Sequence, residues 1–87
     1  MYQVRILDAA SHELARLDKP IGRRVSKRIR WLAAHFDIVK PEPLSGDLGG
    51  FFKLRVGDYR VIYEVLKSEQ IILIHKIGHR RDIYRKI

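Results

Sequence analysis

The sequence predicts an α+β domain over residues 1–87, a small antiparallel sheet with two N-terminal helices packed on one face, in the order β-α-α-β-β-β with a short C-terminal helix. Three observations lead there. Apolar and polar residues alternate near the start and through the second half, apolar residues recur at helical spacing between, and Gly57-Asp58 separates two alternating runs where a hairpin turn belongs. Helices grouped ahead of consecutive strands give segregated layers.

The opening YQVRIL, residues 2–7, alternates and carries β-branched side chains, as a half-buried strand does. Asp8 offers an oxygen for helix capping, and Ala10, Leu14 and Leu17 follow at spacings of four and three. Asp18-Lys19-Pro20 then breaks the pattern and opens a second helix, because proline suits a first turn whose N–H has no partner. Along that helix Ile21, Val25, Ile29, Leu32 and Phe36 form one apolar stripe, with Arg23, Arg24, Lys27, Arg28 and Arg30 on the rest of the cylinder. Residues 37–50 contain Pro41, Pro43, Gly46, Gly49 and Gly50 and read as a loop. Phe52, Leu54 and Val56 alternate with Phe51, Lys53 and Arg55, and YRVIYEVL continues from Tyr59 after the turn. The last run, IILIHKI at residues 71–77, is apolar on both faces and suits a central or covered strand that ends at Gly78.

A chain of 87 residues buries only about 60–70% of its unfolded surface, so the core is small. Hydrophobic residues at 46% and charged residues at 32% exclude global disorder. The absence of cysteine excludes disulfides and thiolate zinc sites and favours a reducing cytoplasm. With neither an apolar run long enough to span a membrane nor a leader pattern, a cytoplasmic protein with no membrane partner is expected. The distinctive quantity is charge: 18 Lys and Arg against 10 Asp and Glu, a net +8. Such an excess draws polyanions, and RNA, DNA, a ribosome or an acidic protein all fit it, beside the plainer account of a solvated basic surface.

A two-residue turn at Gly57-Asp58 places Val56 opposite Tyr59, Arg55 opposite Arg60, Leu54 opposite Val61 and Lys53 opposite Ile62. Opposed residues share a face. Phe52, Leu54, Val56, Tyr59, Val61 and Tyr63 then face the helices, and Lys53, Arg55 and Arg60 gather on the other side. Opposed arginines destabilise a strand pair unless an anion lies between them or the side chains splay towards water and nearby carboxylates such as Glu64 or Asp58.

The ending GHRRDIYR, residues 78–85, adds a second cationic group. If it winds helically, Arg80 and Tyr84 share a face at i and i+4. No phosphate loop, Ser/His/Asp arrangement or metal-type cluster is present; His12, His35, His75 and His79 are scattered, and neither a metal nor a cofactor is expected. Cations with a phenol suit RNA cleavage by the RNA's own 2′-hydroxyl. A base removes the hydroxyl proton, cations stabilise the phosphorane charge, and an acid protonates the departing 5′-oxygen. In the plainer account Tyr84 is a packing residue with a wet hydroxyl, and Arg80, Arg81, Arg85 and Lys86 are docking charges.

Taken together, the KRIRWL segment, the block PEPLSGDLGGFFKLRVGDYRVIYEV and the ending IHKIGHRRDIYR make the chain resemble the RelE/ParE superfamily of bacterial toxins, on its RelE-like branch. The resemblance implies the toxin of a type II toxin–antitoxin pair, an endoribonuclease that cuts mRNA in the ribosomal A site and is blocked by a cognate antitoxin. It further implies that Lys53 and Arg60 bind substrate and stabilise charge, that Arg80 serves the leaving group, and that Tyr84 is the base. Arg55, His79 and Arg81 are further expected RNA contacts, as are Arg24, Lys27 and Arg28 on the basic helix. The antitoxin-bound complex is expected to bind operator DNA through the antitoxin. One departure is Phe51, which stands where the RelE pattern has a second lysine. Two other readings compete: a ParE-like gyrase inhibitor that cleaves nothing, and a nucleic-acid-binding module.

Overall fold

The computed structural model describes residues 1–85, and its sheet is built around the Gly57-Asp58 hairpin. β3 (Phe52–Val56) and β4 (Tyr59–Leu66) pair antiparallel with Val56 opposite Tyr59, Arg55 opposite Arg60, Leu54 opposite Val61 and Lys53 opposite Ile62. That is the register expected of a two-residue turn. Gly57 has φ 59°, the left-handed value such a turn needs at its first central position. β5 (Ile71–His79) pairs antiparallel with β4, and the ladder slips between Ile62 and Tyr63, leaving His75 as the extra residue of a bulge.

The sheet order is β1-β5-β4-β3-β2. β1 (Gln3–Ile6) lies parallel to β5, so the sheet is mixed rather than wholly antiparallel. The helices form a crossover that carries the chain along one face, and such a connection permits parallel pairing. Within the expected loop, Glu42–Pro43 pairs with Lys53 and Phe52 as a two-residue strand, β2, and Gly46–Leu48 forms a 3-10 turn. Both are short enough to coexist with the breakers around them.

α1 (Asp8–Arg16) begins at Asp8 itself; Leu7 holds the cap position and Asp8 makes no capping bond. Its carboxylate still complements the positive end of the helix dipole. α2 (Lys19–Ala34) places Pro20 in its first turn and buries Val25, Ile29 and Leu32, the heart of the expected stripe. These meet Leu54, Val56, Val61, Tyr63, Ile72, Ile74 and Ile77 in the core, with Tyr2, Ile21, Phe36, Phe52 and Tyr59 packed around them.

Beyond Ile74 the edge of β5 has no strand partner from β1, and α1 supplies the missing acceptor: the Ile77 N–H donates to Glu13 Oε1 at 2.9 Å. Such a bond spares a half-buried amide the cost of going unpaired. The tail after His79 turns rather than forming a helix of its own. Asp82 and Ile83 N–H both donate to the His79 carbonyl, at 2.9 and 3.0 Å, and Arg85 N–H reaches Asp82 O at 3.1 Å. Lys86 lies outside the described residues.

Candidate active site

The hairpin delivers the cationic face as the alternation requires. Lys53, Arg55 and Arg60 occupy the side of β3 and β4 opposite the core, since their neighbours Leu54, Val56 and Val61 are buried against α2. Ile62 is 1% exposed yet belongs to this outward side, between Lys53 and Lys76 on the flanking strands. The facing arginines are reconciled within the protein. Arg55 Nη2 pairs with Glu42 Oε2 at 3.1 Å, while Arg60 Nη1 donates to the carbonyls of Gly57 and Tyr59, each at 2.8 Å. Neither Glu64 nor Asp58 neutralises them: Glu64 accepts from or pairs with His75 at 3.0 Å, and Asp58 pairs with Arg80. The paired arginines therefore do not by themselves require a bound anion.

The tail meets this hairpin at its tip. Arg80 N–H donates to the Asp58 carbonyl at 2.8 Å, and Arg80 Nε lies 3.6 Å from Asp58 Oδ1. Arg60 and Arg80, distant in sequence, thus fasten to the same turn. Lys53 lies two residues down β3 from Arg55, about 7 Å along the same face at the usual strand rise. The tail is anchored by Ile83, 1% exposed, whose Cδ1 lies 3.3 Å from the place a Cβ would occupy on Gly78. Gly78 is part of the ladder, opposite Arg60, rather than the strand's end. Because Ile83 turns inward, its neighbour Tyr84 is 43% exposed, and no hydrogen bond among the described residues joins it to Lys53, Arg60 or Arg80. Arg85 pairs with Asp82 at 3.6 Å.

His79 is positioned differently from the cations. It faces Tyr59, with the rings edge-on at 5.4 Å, and its Nδ1 accepts the Arg81 N–H at 3.2 Å, so it helps to shape the tail. Arg81 is exposed beside it. Phe51, at the position of the absent lysine, sets its ring edge-on to His75 at 4.8 Å, across β4, which separates their strands. Arg24, Lys27 and Arg28 lie apart on α2, around the edge of β3, and share a cavity there with Arg55. Burial, and then the negative charge of Glu42, push the Tyr63 phenol up to about 12. Several of these contacts have weak sequence signals. Asp58 read as a turn residue and a partner for Arg55 or Arg60 rather than for Arg80, and Glu42 sat among prolines and glycines; Ile83 was the exception, an apolar residue isolated among charges.

The architecture and the convergence of the tail on the hairpin define a class, that of the small RelE/ParE superfamily toxins. The toxin–antitoxin complex RelBE2 from Mycobacterium tuberculosis contains a chain similar in fold, with a TM-score of 0.82 and 28% identity over 91% of this chain and 98% of that one. The archaeal RelE–RelB complex from Pyrococcus horikoshii is similar at 31% identity and a TM-score of 0.68, over 91% and 94% of the chains. In sequence, the chain is 29% identical to the toxin RelG of M. tuberculosis over 98% of both chains. The family model for the ParE toxin of type II toxin–antitoxin systems, parDE, matches residues 4–84, and the chain belongs to that family.

Proposed function

We propose that this toxin is a ribosome-dependent endoribonuclease that cuts mRNA in the A site, stops translation and growth, and is neutralised by a cognate antitoxin in the cytoplasm. The observation that carries the reading is the fastening of Arg60 and Arg80 to one turn beside the Lys53 face. A phosphodiester lying over that turn meets guanidinium groups from two elements. Guanidinium forks suit phosphate oxygens, and preorganised positive charge favours a transition state in which negative charge accumulates.

In this mechanism Lys53 and Arg60 hold the scissile phosphate and stabilise the phosphorane. Arg80 exchanges its exposed contact with Asp58 for the phosphate and steadies the developing 5′-oxyanion. Tyr84, exposed on the tail, acts as phenolate and takes the 2′-hydroxyl proton to become the neutral phenol as the 2′-oxygen attacks phosphorus and the P–O5′ bond breaks. Arginine surrenders protons poorly, so protonation of the leaving oxygen falls to solvent or the ribosome. Arg55 and Arg81 add backbone contacts, and His79 orients the tail between them. The antitoxin is acidic, places an amphipathic helix over the basic and apolar surface, and gives the complex its affinity for operator DNA.

The test is to map mRNA ends in translating extracts and in purified RNA without ribosomes. Arg80→Ala and Tyr84→Phe should abolish ribosome-dependent cuts and relieve growth arrest with the fold intact; undiminished cutting by both would reject the site. Because the family model bears the name of the ParE toxin, the second reading is a gyrase inhibitor. It predicts gyrase-linked DNA breaks and intact mRNA on expression.

A further inference from the structure

The side of α2 nearest the edge of β3 carries a built surface that the proposed cleavage chemistry does not use. A cavity of about 330 Å³ is lined there by Arg24, Lys27, Arg28, Trp31 and Arg55, with the end of β3 as its floor and, among the described residues, no carboxylate in its wall. A second cavity of about 220 Å³ shares Arg28, Trp31 and Arg55 with it and extends to Lys53. The two form one path from the helix to the cationic sheet face. Its single carboxylate, Glu42, is held by Arg55 at 3.1 Å.

Trp31 is 37% exposed at the middle of this path. Its indole is part of a column of planar groups: the Arg28 guanidinium carbon lies 4.2 Å from the ring centroid, and the His35 ring stacks at 4.8 Å with the planes 20° apart. His35 is fixed by a 2.9 Å contact between its Nδ1 and the Trp31 carbonyl. Arginine stems laid on apolar surface with their heads in water explain the charges of a solvated basic helix but give the half-exposed indole and the open cavity beside it no role. Single-stranded nucleic acid requires this combination, flat faces for bases and cations at the spacing of its backbone. An acidic peptide matches the charge but gives the planar column nothing to stack.

We propose that this groove binds single-stranded RNA, with a base stacked on the Trp31 indole in place of the Arg28 guanidinium and the adjoining phosphates held by Arg24, Lys27, Arg28 and Arg55. On the nuclease reading above, on which the identity of the strand rests, the occupant is the segment flanking the scissile nucleotide, led from Lys53 over the edge of β3 onto α2. Exposed Arg28 swings to a phosphate when a base takes its place on the indole.

Trp31 is the only tryptophan, so its emission reports on the groove directly. The full chain is titrated with a 2′-O-methyl oligoribonucleotide, whose blocked 2′-oxygen cannot attack, while a fluorescein end label reports total binding by anisotropy. Trp31 emission should be quenched in step with anisotropy. With four phosphates neutralised, by Arg24, Lys27, Arg28 and Arg55, at a salt slope of about −0.7 each, affinity should fall about fiftyfold between 50 and 200 mM salt. Trp31→Leu should weaken labelled RNA about tenfold and Trp31→Phe much less, since stacking survives in phenylalanine. Arg24→Gln should lower the salt slope. RNA binding with unchanged Trp31 emission would overturn the proposal, as would full affinity in Trp31→Leu and Arg24→Gln together. So would equal quenching by an acidic peptide of matched charge, which would assign the groove to protein docking. Ribosome-dependent cutting, mapped on the same preparation, decides the nuclease separately: cutting with silent Trp31 rejects the groove alone, and quenching without cutting supports the groove while rejecting the nuclease.

Discussion

Gly78 and Ile83 show how one absent methyl sets the tail. Gly78 sits in the β5 ladder opposite Arg60, and a Cβ there would come 3.3 Å from Ile83 Cδ1. Gly78→Ala should therefore push the tail outward, with the last turn cleaved sooner in limited proteolysis and, on the proposed nuclease function, mRNA cutting reduced. Ile83→Val removes the obstructing Cδ1 at a cost of about 0.5–1.5 kcal/mol. The double variant should be more stable than the sum of the single changes, which a double-mutant cycle in denaturant measures; strict additivity would show that the two do not touch. At Tyr63 the phenol is raised from 10.0 to about 12 by burial and the charge of Glu42. A folded value above the unfolded one means that the neutral phenol's contribution is complete below pH 10 and is lost as pH rises towards 12. Stability should decline across that interval, and Tyr63→Phe should remove this part of the slope.

Among the elements, the hairpin and α2 were the most legible, because each follows from one local period. Gly57-Asp58 flanked by alternating residues dictates both register and face, and Val25, Ile29 and Leu32 lie buried where a period of 3.6 puts them. What the sequence withheld depends on partners far along the chain. The parallel pairing of β1 with β5, the Glu13 bond to Ile77 and the Glu42 pairing with Arg55 have no local pattern. The site was legible to the same extent: the shared face of Lys53 and Arg60 follows from alternation, whereas the docking of Arg80 on Asp58 requires the tail's path. Glu13 supports a testable statement about the element. Glu13→Ala should destabilise the protein by about 1–3 kcal/mol in urea, because the Ile77 amide loses its acceptor, while Glu13→Gln keeps a carbonyl there and most of the stability.

For the molecule as a whole, charge belongs to binding more than to stability. The Arg55–Glu42 and Arg80–Asp58 pairs are solvent-accessible, and such pairs contribute about 0–1 kcal/mol. Glu42→Gln should leave thermal stability nearly unchanged. On the groove proposal, Arg55 relieved of its carboxylate partner should bind RNA more tightly, while the slope of log affinity against log salt stays the same because Arg55 already counts among the phosphate contacts. The same substitution removes one cause of the raised Tyr63 value, so the stability decline that starts near pH 10 should end at a lower pH and be smaller.

The pairing of Gln3 with Ile71 and Ile6 with Ile74 also bears on how the protein is made. During synthesis the first strand emerges long before its neighbour exists, and the sheet cannot close until the final strand has cleared the exit tunnel. A nascent chain stalled before residue 71 should remain open to protease throughout, while emergence of β5 should bring protection in one step. The assembled toxin therefore exists only once β5 is free to pair, which gives a partner translated alongside it time to be waiting.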